Sequence, residues 1–394
     1  MPDPLLLFDA SADGHHPEYV RHVVDGLAVR GHAARTVVAV PPAMLEAHPD
    51  LAASGVQTFP VDAEPPTGGP WAIAQQTWPH LAEAVRRVRP ARVLLLYADA
   101  VVPSLARGSR LAGDPGLWTI HFRPPVPEPG RRLRERLRDL VKQRQLRAVL
   151  RRPDLRAAFT LDPRALSAFR ALARSASAAA LADPVMPTAW TPAEQAEARD
   201  RVRGELGVEP GRHLMVLFGS LAPRKGIFQT VEALRHLPAE VAARLAVALI
   251  GPIDADCREA FAAAVAAHDS PARLITRDRS ITETGIAPLL VAADTVLLPY
   301  QRHIGSSAVL IRAAGLARPA ITQEAGLVGE WTRGHGLGRA VDSTSPDALA
   351  RAITAAVLDP AGPFDPGAAR AFAAGHTPDA FVRTLLDGPA GLLA

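Results

Sequence analysis

Short runs of apolar residues alternate along this chain with longer stretches whose apolar positions recur every three or four residues. That alternation is the pattern of parallel βαβ units. In the first half it predicts strands at Leu5–Asp9, Arg35–Val40, Gly55–Pro60, Arg92–Tyr97, Leu117–His121 and Ala157–Leu161. Helical patterns lie between them, as at His16–Arg30 and Trp71–Arg87. The proline-bearing stretch Ala182-Asp183-Pro184-Val185-Met186-Pro187 suits neither a helix nor a central strand and reads as a linker. The pattern then restarts, with strands at His213–Phe218, Arg244–Ile250, Arg273–Thr276, Thr295–Pro299, Ala317–Thr322 and Arg339–Asp342. Its helices are Ile227–Leu237, Ala255–His268, Ser307–Ala317 and Pro346–Leu358.

The expected fold class is therefore α/β, with two Rossmann-like, doubly wound domains facing a cleft, because ligands of open α/β sheets bind outside the carboxyl ends of the strands. The expected domains are 1–183 and 184–366. A last helical stretch, 367–394, has no following strand and is expected to pack back on the first domain. The length of 394 residues suits two cores rather than one.

Composition changes this picture little. Hydrophobic residues make up 48%, which excludes a mainly disordered chain. The single cysteine, Cys257, excludes an intramolecular disulfide, and no Cys/His cluster has zinc spacing. No metal and no cofactor are expected. The apolar run before Asp9 is too short for a signal peptide and reads as a buried strand, so a soluble, cytoplasmic protein is expected.

Charge matters more. Between Arg131 and Arg156 stand eleven Lys/Arg against three Asp/Glu, an excess of eight in a chain of formal charge +4. The remainder is thus about four units negative. Within that run Leu133, Leu137, Leu140 and Val141 follow helical spacing, with arginines around them. Such a helix either lies on an anionic membrane at its inner face, holds a phosphorylated acceptor, or is a solvated face of its own domain. Nucleic acid is the weakest partner, since aromatics are 5% and no recognition motif is present.

Five places carry candidate chemistry. Gly14 and His16 stand where the first strand meets the first helix, a turn that either contacts a ligand or merely needs its glycine. Ser220, Arg224 and Lys225 lie on a strand-to-helix loop whose cations either suit a diphosphate, although the Walker spacing is absent, or form a solvated basic turn. His303, Gly305, Ser306 and Ser307 precede an apolar helix, where free N–H groups hold phosphate oxygens or a serine simply caps. His121 ends a strand as a candidate base or substrate orienter, the alternative being a core histidine. Asp99, past the preceding strand, is similarly placed.

The order of Gly14, Gly219 through Gly226, Ala293 through Tyr300, the helix ending Ala313-Ala314-Gly315, and Gly326 through Glu330 resembles the GT-B glycosyltransferases of the large retaining family 4. The resemblance implies transfer of a sugar, with retention, from a nucleotide-sugar donor to a carbohydrate, lipid or small-molecule acceptor. It also implies that Lys225 holds the donor diphosphate near Gly14, Ser306 and Ser307, and that His121 lies near the transferred sugar. The family's paired glutamates fall here on Ile304 and Arg312, and its diphosphate arginine on Ser220. Arg312 cannot accept hydrogen bonds from a ribose diol, so it either serves the donor by donating to phosphate or a carboxylated sugar, or points away and pairs with a neighbouring acid. A silent relative that binds sugar nucleotides or a partner transferase, and an unrelated two-domain sugar or anion binder, are the competing readings. Donor hydrolysis or transfer separates all three.

Overall fold

A computed structural model describes residues 3–62, 67–126 and 133–394, with side chains in the last stretch from residue 137 onward. Its contacts divide the chain into two compact units, residues 1–184 with 377–394, and residues 185–376.

Among the described residues the first unit holds seven parallel strands: β1 (Leu5–Phe8), β2 (Thr36–Val40), β3 (Gln57–Pro60), β4 (Arg92–Leu95), β5 (Gly116–His121), β6 (Leu155–Thr160) and β7 (Ser177–Ala180). Their order is β3-β2-β1-β4-β5-β6-β7. Strands covered on both faces should be apolar without alternation, and β1 and β2 are buried at every position. Successive side chains still point to opposite faces. Leu5 and Leu7 join one core layer, Leu6 and Phe8 the other.

The second unit repeats the plan with six described strands, β8 (His213–Phe218), β9 (Leu245–Ile250), β10 (Arg273–Arg277), β11 (Thr295–Leu298), β12 (Ala320–Gln323) and β13 (Gly338–Val341). Their order is β10-β9-β8-β11-β12-β13, again parallel throughout. In β8, Leu214, Val216 and Phe218 enter one layer while Met215 and Leu217 enter the other. The strand order reverses between β1 and β4 in one sheet and between β8 and β11 in the other. In such sheets that reversal leaves a crevice beyond the carboxyl ends of the central strands.

The structure differs from the sequence pattern at three places. Strand β7, Ser-Ala-Ala-Ala, was not expected, because it has neither β-branched nor aromatic residues. The helix expected to reach Ala317 stops at Gly315, and Ala317 has a left-handed φ of 52°. The helix Pro366–Ala374 packs on Ala308–Gly315 in the second unit, so the chain rejoins the first unit only from Thr377. Thr377 caps the helix Pro378–Leu386 by accepting from the Ala380 N–H at 3.2 Å. That helix buries Phe381, Leu385 and Leu386 against the helix His16–Val29. Arg30 and Asp387 close the join with a two-pronged ion pair, its Nε bond being 2.7 Å.

Candidate functional site

In the first unit the turn after β1 and the turn after β4 meet at the sheet's reversal. Gly14 has φ of 63°, which suits glycine, and its Cα faces open space. The helix His16–Val29 then starts with His16, whose Nδ1 lies 2.8 Å from Oδ2 of Asp9. Asp9 is only 3% exposed, and its Oδ1 accepts from the Ser11 N–H at 3.0 Å. A buried carboxylate on Nδ1 fixes the ring's orientation.

An aromatic group surrounds this pair. His15 stacks on His16, with centroids 5.6 Å apart, and Tyr97 meets His16 edge-on at 4.9 Å. Phe122 packs against both Tyr97 and Tyr19. The Tyr19 hydroxyl donates to Asp183 at 2.6 Å, and burial together with that carboxylate pushes the phenol well above its usual pKa. Burial, reinforced by the charge of His16, lowers the pKa of His15.

Tyr97 stands between two adjoining hollows of about 210 and 200 Å³. One is lined by Asp9, Asp13, His16 and Thr77, whose buried hydroxyl makes no hydrogen bond. The other is lined by Asp99, His121, Arg123 and Lys142. Asp99 accepts from the Phe122 N–H at 2.7 Å through one carboxylate oxygen. His121 is 1% exposed, its Nε2 is 3.1 Å from Thr119 Oγ1, and its ring stacks edge-on against Phe169. Burial lowers its pKa, with Asp99 opposing the shift. His121 is thus both a core histidine and part of a hollow's wall. Gly14, His16, Asp99 and His121 are therefore brought to one edge of the first sheet.

In the second unit the loops after β8 and β11 meet in the same way. Gly219 and Gly226, with φ of 99° and 76°, bracket a short 3₁₀ turn at Pro223–Lys225. The Lys225 Nζ donates to the Tyr300 hydroxyl at 3.3 Å and sits 4.5 Å from that ring's centroid. The Tyr300 hydroxyl lies 3.2 Å from Ser307 Oγ, which caps the helix Ala308–Gly315 by accepting from the Leu310 N–H at 3.3 Å. Lys225 makes no ion pair among the described residues, so an aromatic ring holds its charge in place without neutralising it. Ser220 and Arg224 are exposed on the same loop, and the Arg224 carbonyl accepts from the Gln301 N–H at 2.8 Å.

The loop from His303 to Ser306 is fixed from within. His303 Nε2 lies 2.8 Å from the Ser306 carbonyl. Gln323, 3% exposed, accepts from the His303 N–H at 3.0 Å and donates to the His303 and Ala325 carbonyls. Gly305 is partly exposed, with nothing within 4 Å of its missing side chain. Arg312 does not join this group through any bond: its guanidinium is ion-paired to Glu283, in the first turn of the helix Glu283–Ala292. Of the two expectations for Arg312, the pairing with a neighbouring acid is the one this contact matches.

Sequence reasoning missed Asp9, Tyr97, Tyr300 and Gln323. For Tyr97 and Tyr300 a signal exists, since each follows a strand end by two residues. Asp9 meets Ser11 and His16 across the turn through Gly14, and Gln323 meets His303 twenty residues back, and no spacing in the sequence marks either set of contacts.

Among the described residues no group of His, Cys, Asp and Glu is arranged to hold a metal ion. No helix there is long and apolar enough to cross a membrane.

No family model and no curated protein matches this sequence. Solved structures do. HepE of Anabaena, solved with UDP and glucose, is 15% identical over 97% of this chain and 98% of its own, with a TM-score of 0.69. WaaG, a glycosyltransferase involved in lipopolysaccharide biosynthesis, is 15% identical over 98% of each chain, with a TM-score of 0.62. Sucrose-phosphate synthase from Thermosynechococcus elongatus is 17% identical over 96% of each chain, with a TM-score of 0.69. At these identities what is shared is the fold, and these neighbours give this chain the α/β, two-domain architecture of the GT-B class.

Proposed function

We propose that this protein is a glycosyltransferase of the EC 2.4 type that takes its sugar from a nucleotide-sugar donor. The observation that carries the reading is Lys225, a cation without an acid partner among the described residues, held on Tyr300 at the strand reversal of the second sheet. Ser220, Arg224, Gly305, Ser306 and Ser307 surround that position in the reading, with the diphosphate taking charge-assisted bonds from the loop. The acceptor, a carbohydrate, lipid or small molecule, is assigned to the hollows of the first unit, with His16, Asp99 and His121 directed to its hydroxyls. The fold shared with HepE, solved also with UDP-glucose, supports the donor class. We attach retention to this reading, with the leaving phosphate taking the acceptor proton, and we place the protein in the cytoplasm. No metal and no cofactor enter it.

Lys225→Ala is expected to weaken UDP-glucose binding about tenfold or more, since one charge-assisted contact contributes roughly 1.5–3 kcal/mol. Titration calorimetry on the folded variant measures this. Unchanged affinity would move the donor site away from the loop. The anomeric configuration of the product tests retention. A second reading, a silent relative, is favoured by Ile304 and by Arg312, already paired to Glu283. Donor binding with neither transfer nor hydrolysis would establish it.

We also propose that the helix Leu133–Leu150 rests on an anionic membrane. Arg131 and Arg132 of the basic run lie outside the described residues. From 137 onward, exposed positions recur as Leu137, Arg138, Leu140, Val141, Arg144, Arg147 and Ala148, with Arg151 just past the helix end, one outward strip at helical spacing. The first three side chains are 55%, 53% and 49% exposed, while Leu146, Val149 and Leu150 turn inward. An apolar turn followed by unopposed arginines complements a bilayer of acidic headgroups. Vesicles of phosphatidylserine and phosphatidylcholine should sediment the protein, and pure phosphatidylcholine should not. Leu137→Ser with Leu140→Ser is expected to abolish the difference. Equal binding to both vesicles, or to neither, would remove the proposal.

A further inference from the structure

The hollow between Asp99 and the helix Leu133–Leu150 carries more positive charge than its walls use. Arg123 and Lys142 both line it, from different parts of the chain. Neither makes an ion pair or a side-chain hydrogen bond among the described residues. The one carboxylate lining the same hollow, Asp99, engages the Phe122 N–H with one oxygen, and burial lowers the pKa of His121. The remaining wall is mostly apolar or aromatic, with Ile73, Leu146 and Tyr97, and carries one amide, Gln145. A hydroxyl can therefore reach the free side of Asp99, while the half-buried Lys142 and the exposed Arg123 leave two cations at one hollow for an anion. The charge of Lys142, partly withdrawn from solvent, is screened less than in open water.

We infer that the hollow takes a sugar-sized ligand bearing both hydroxyls and an anionic group, a phosphate or a carboxylate. The anion lies against Arg123 and Lys142, the hydroxyls against Asp99 and the ring of Tyr97. The inference rests on the transferase reading only in naming that ligand the acceptor. Arg suits either anion through its fork, and Lys adds a point charge.

The test follows the Ile73 and Leu146 methyl resonances of the full chain, since both residues line the hollow. Four probes are titrated: inorganic phosphate, glucose 6-phosphate, glucuronate and glucose. At least one anionic probe should shift both methyls, and glucose should bind roughly tenfold more weakly than that probe. A response to the phosphates alone or to glucuronate alone identifies the anion. Lys142→Met should weaken the anionic probes about tenfold, Arg123→Ala should do the same, and Lys142→Arg should restore binding. The inference is overturned if no anionic probe shifts these methyls, if glucose binds as tightly, or if both loss-of-charge variants bind like wild type. A protein that binds the anionic probes but no nucleotide keeps this site and loses the transferase reading. One that binds UDP-glucose but none of the anionic probes does the reverse.

Discussion

Gly226→Ala is expected to destabilise the second unit by about 3 kcal/mol or more. Two costs add. The residue sits at φ of 76°, where an alanine pays roughly 1–2 kcal/mol. A Cβ there would also lie 2.0 Å from the Pro299 carbonyl oxygen, which immediately follows the buried strand β11 and cannot give way cheaply. Gly14→Ala is the control. Its φ of 63° is similar but the space around it is open, so it should cost only the backbone term. Differential scanning calorimetry should find a fall of roughly 6–12 °C for Gly226→Ala and a much smaller one for Gly14→Ala. Equal, small shifts would mean that the approach of Gly226 to Pro299 is not a constraint. The effect reaches the candidate site directly, because Gly226 ends the turn that carries Lys225.

A second large loss is expected at Asp294. Its Oδ2 accepts from the Leu214 N–H at 2.7 Å and from Arg203 at 3.1 Å, while Oδ1 accepts from Arg199. Burial pushes the carboxyl's pKa up, but the Leu214 N–H and Arg199 outweigh it, and the group stays below its usual value. One carboxylate therefore ties the helix Pro192–Glu205 to the start of β8. Asp294→Ala would leave the Leu214 N–H without its acceptor and two guanidinium groups without their counter-charge, though both keep backbone carbonyls as acceptors. The expected cost is about 3 kcal/mol, the low end for breaking a buried pair, since the group is partly exposed. Asp294→Asn, which keeps an acceptor but not the charge, should fall between. Urea denaturation of both variants measures this, and a wild-type midpoint for Asp294→Ala would show the cluster to be decorative.

That cluster also shows what the sequence could and could not tell. The stretch from Ala293 to Tyr300 stood out as a family-like piece, yet its acid secures the fold while its last residue, Tyr300, carries Lys225. Resemblance marks such a segment without separating the two roles. The strands were legible where both faces are buried, as in Leu-Met-Val-Leu-Phe of β8, because a short, unbroken apolar run suits a strand covered on each side. Strand β7 was not, since alanines acquire strand geometry only by pairing with β6. The loop positions of Gly14 and Lys225 and the cap of Ser307 were legible because that chemistry is local. For Arg312 the sequence left two readings open, and it could not name Glu283 as the acid because that residue lies on another helix. The Asp9–His16 pair escaped for a related reason: Asp9 looked like the end of a strand, and only the turn through Gly14 brings the imidazole back to it.

The return of the chain from Thr377 to the first unit sets an order of events during synthesis. Residues 185–376 form a contiguous unit and can close as soon as they leave the ribosome. The first unit, though translated earlier, lacks one element until residues 377–394 follow. Its helix His16–Val29 shares a core with Leu5, Leu7 and Val38 of the sheet, but the side of that helix bearing Tyr19 and Gly26 meets Phe381 and Val382 only once the helix Pro378–Leu386 has been made. Emerging chains ordinarily fold from the N-terminus onward. Here the helix Pro378–Leu386, made after the second unit, completes the first core, so a ribosome stalled before Thr377 would present one finished domain and one with an open apolar seam for a chaperone to hold.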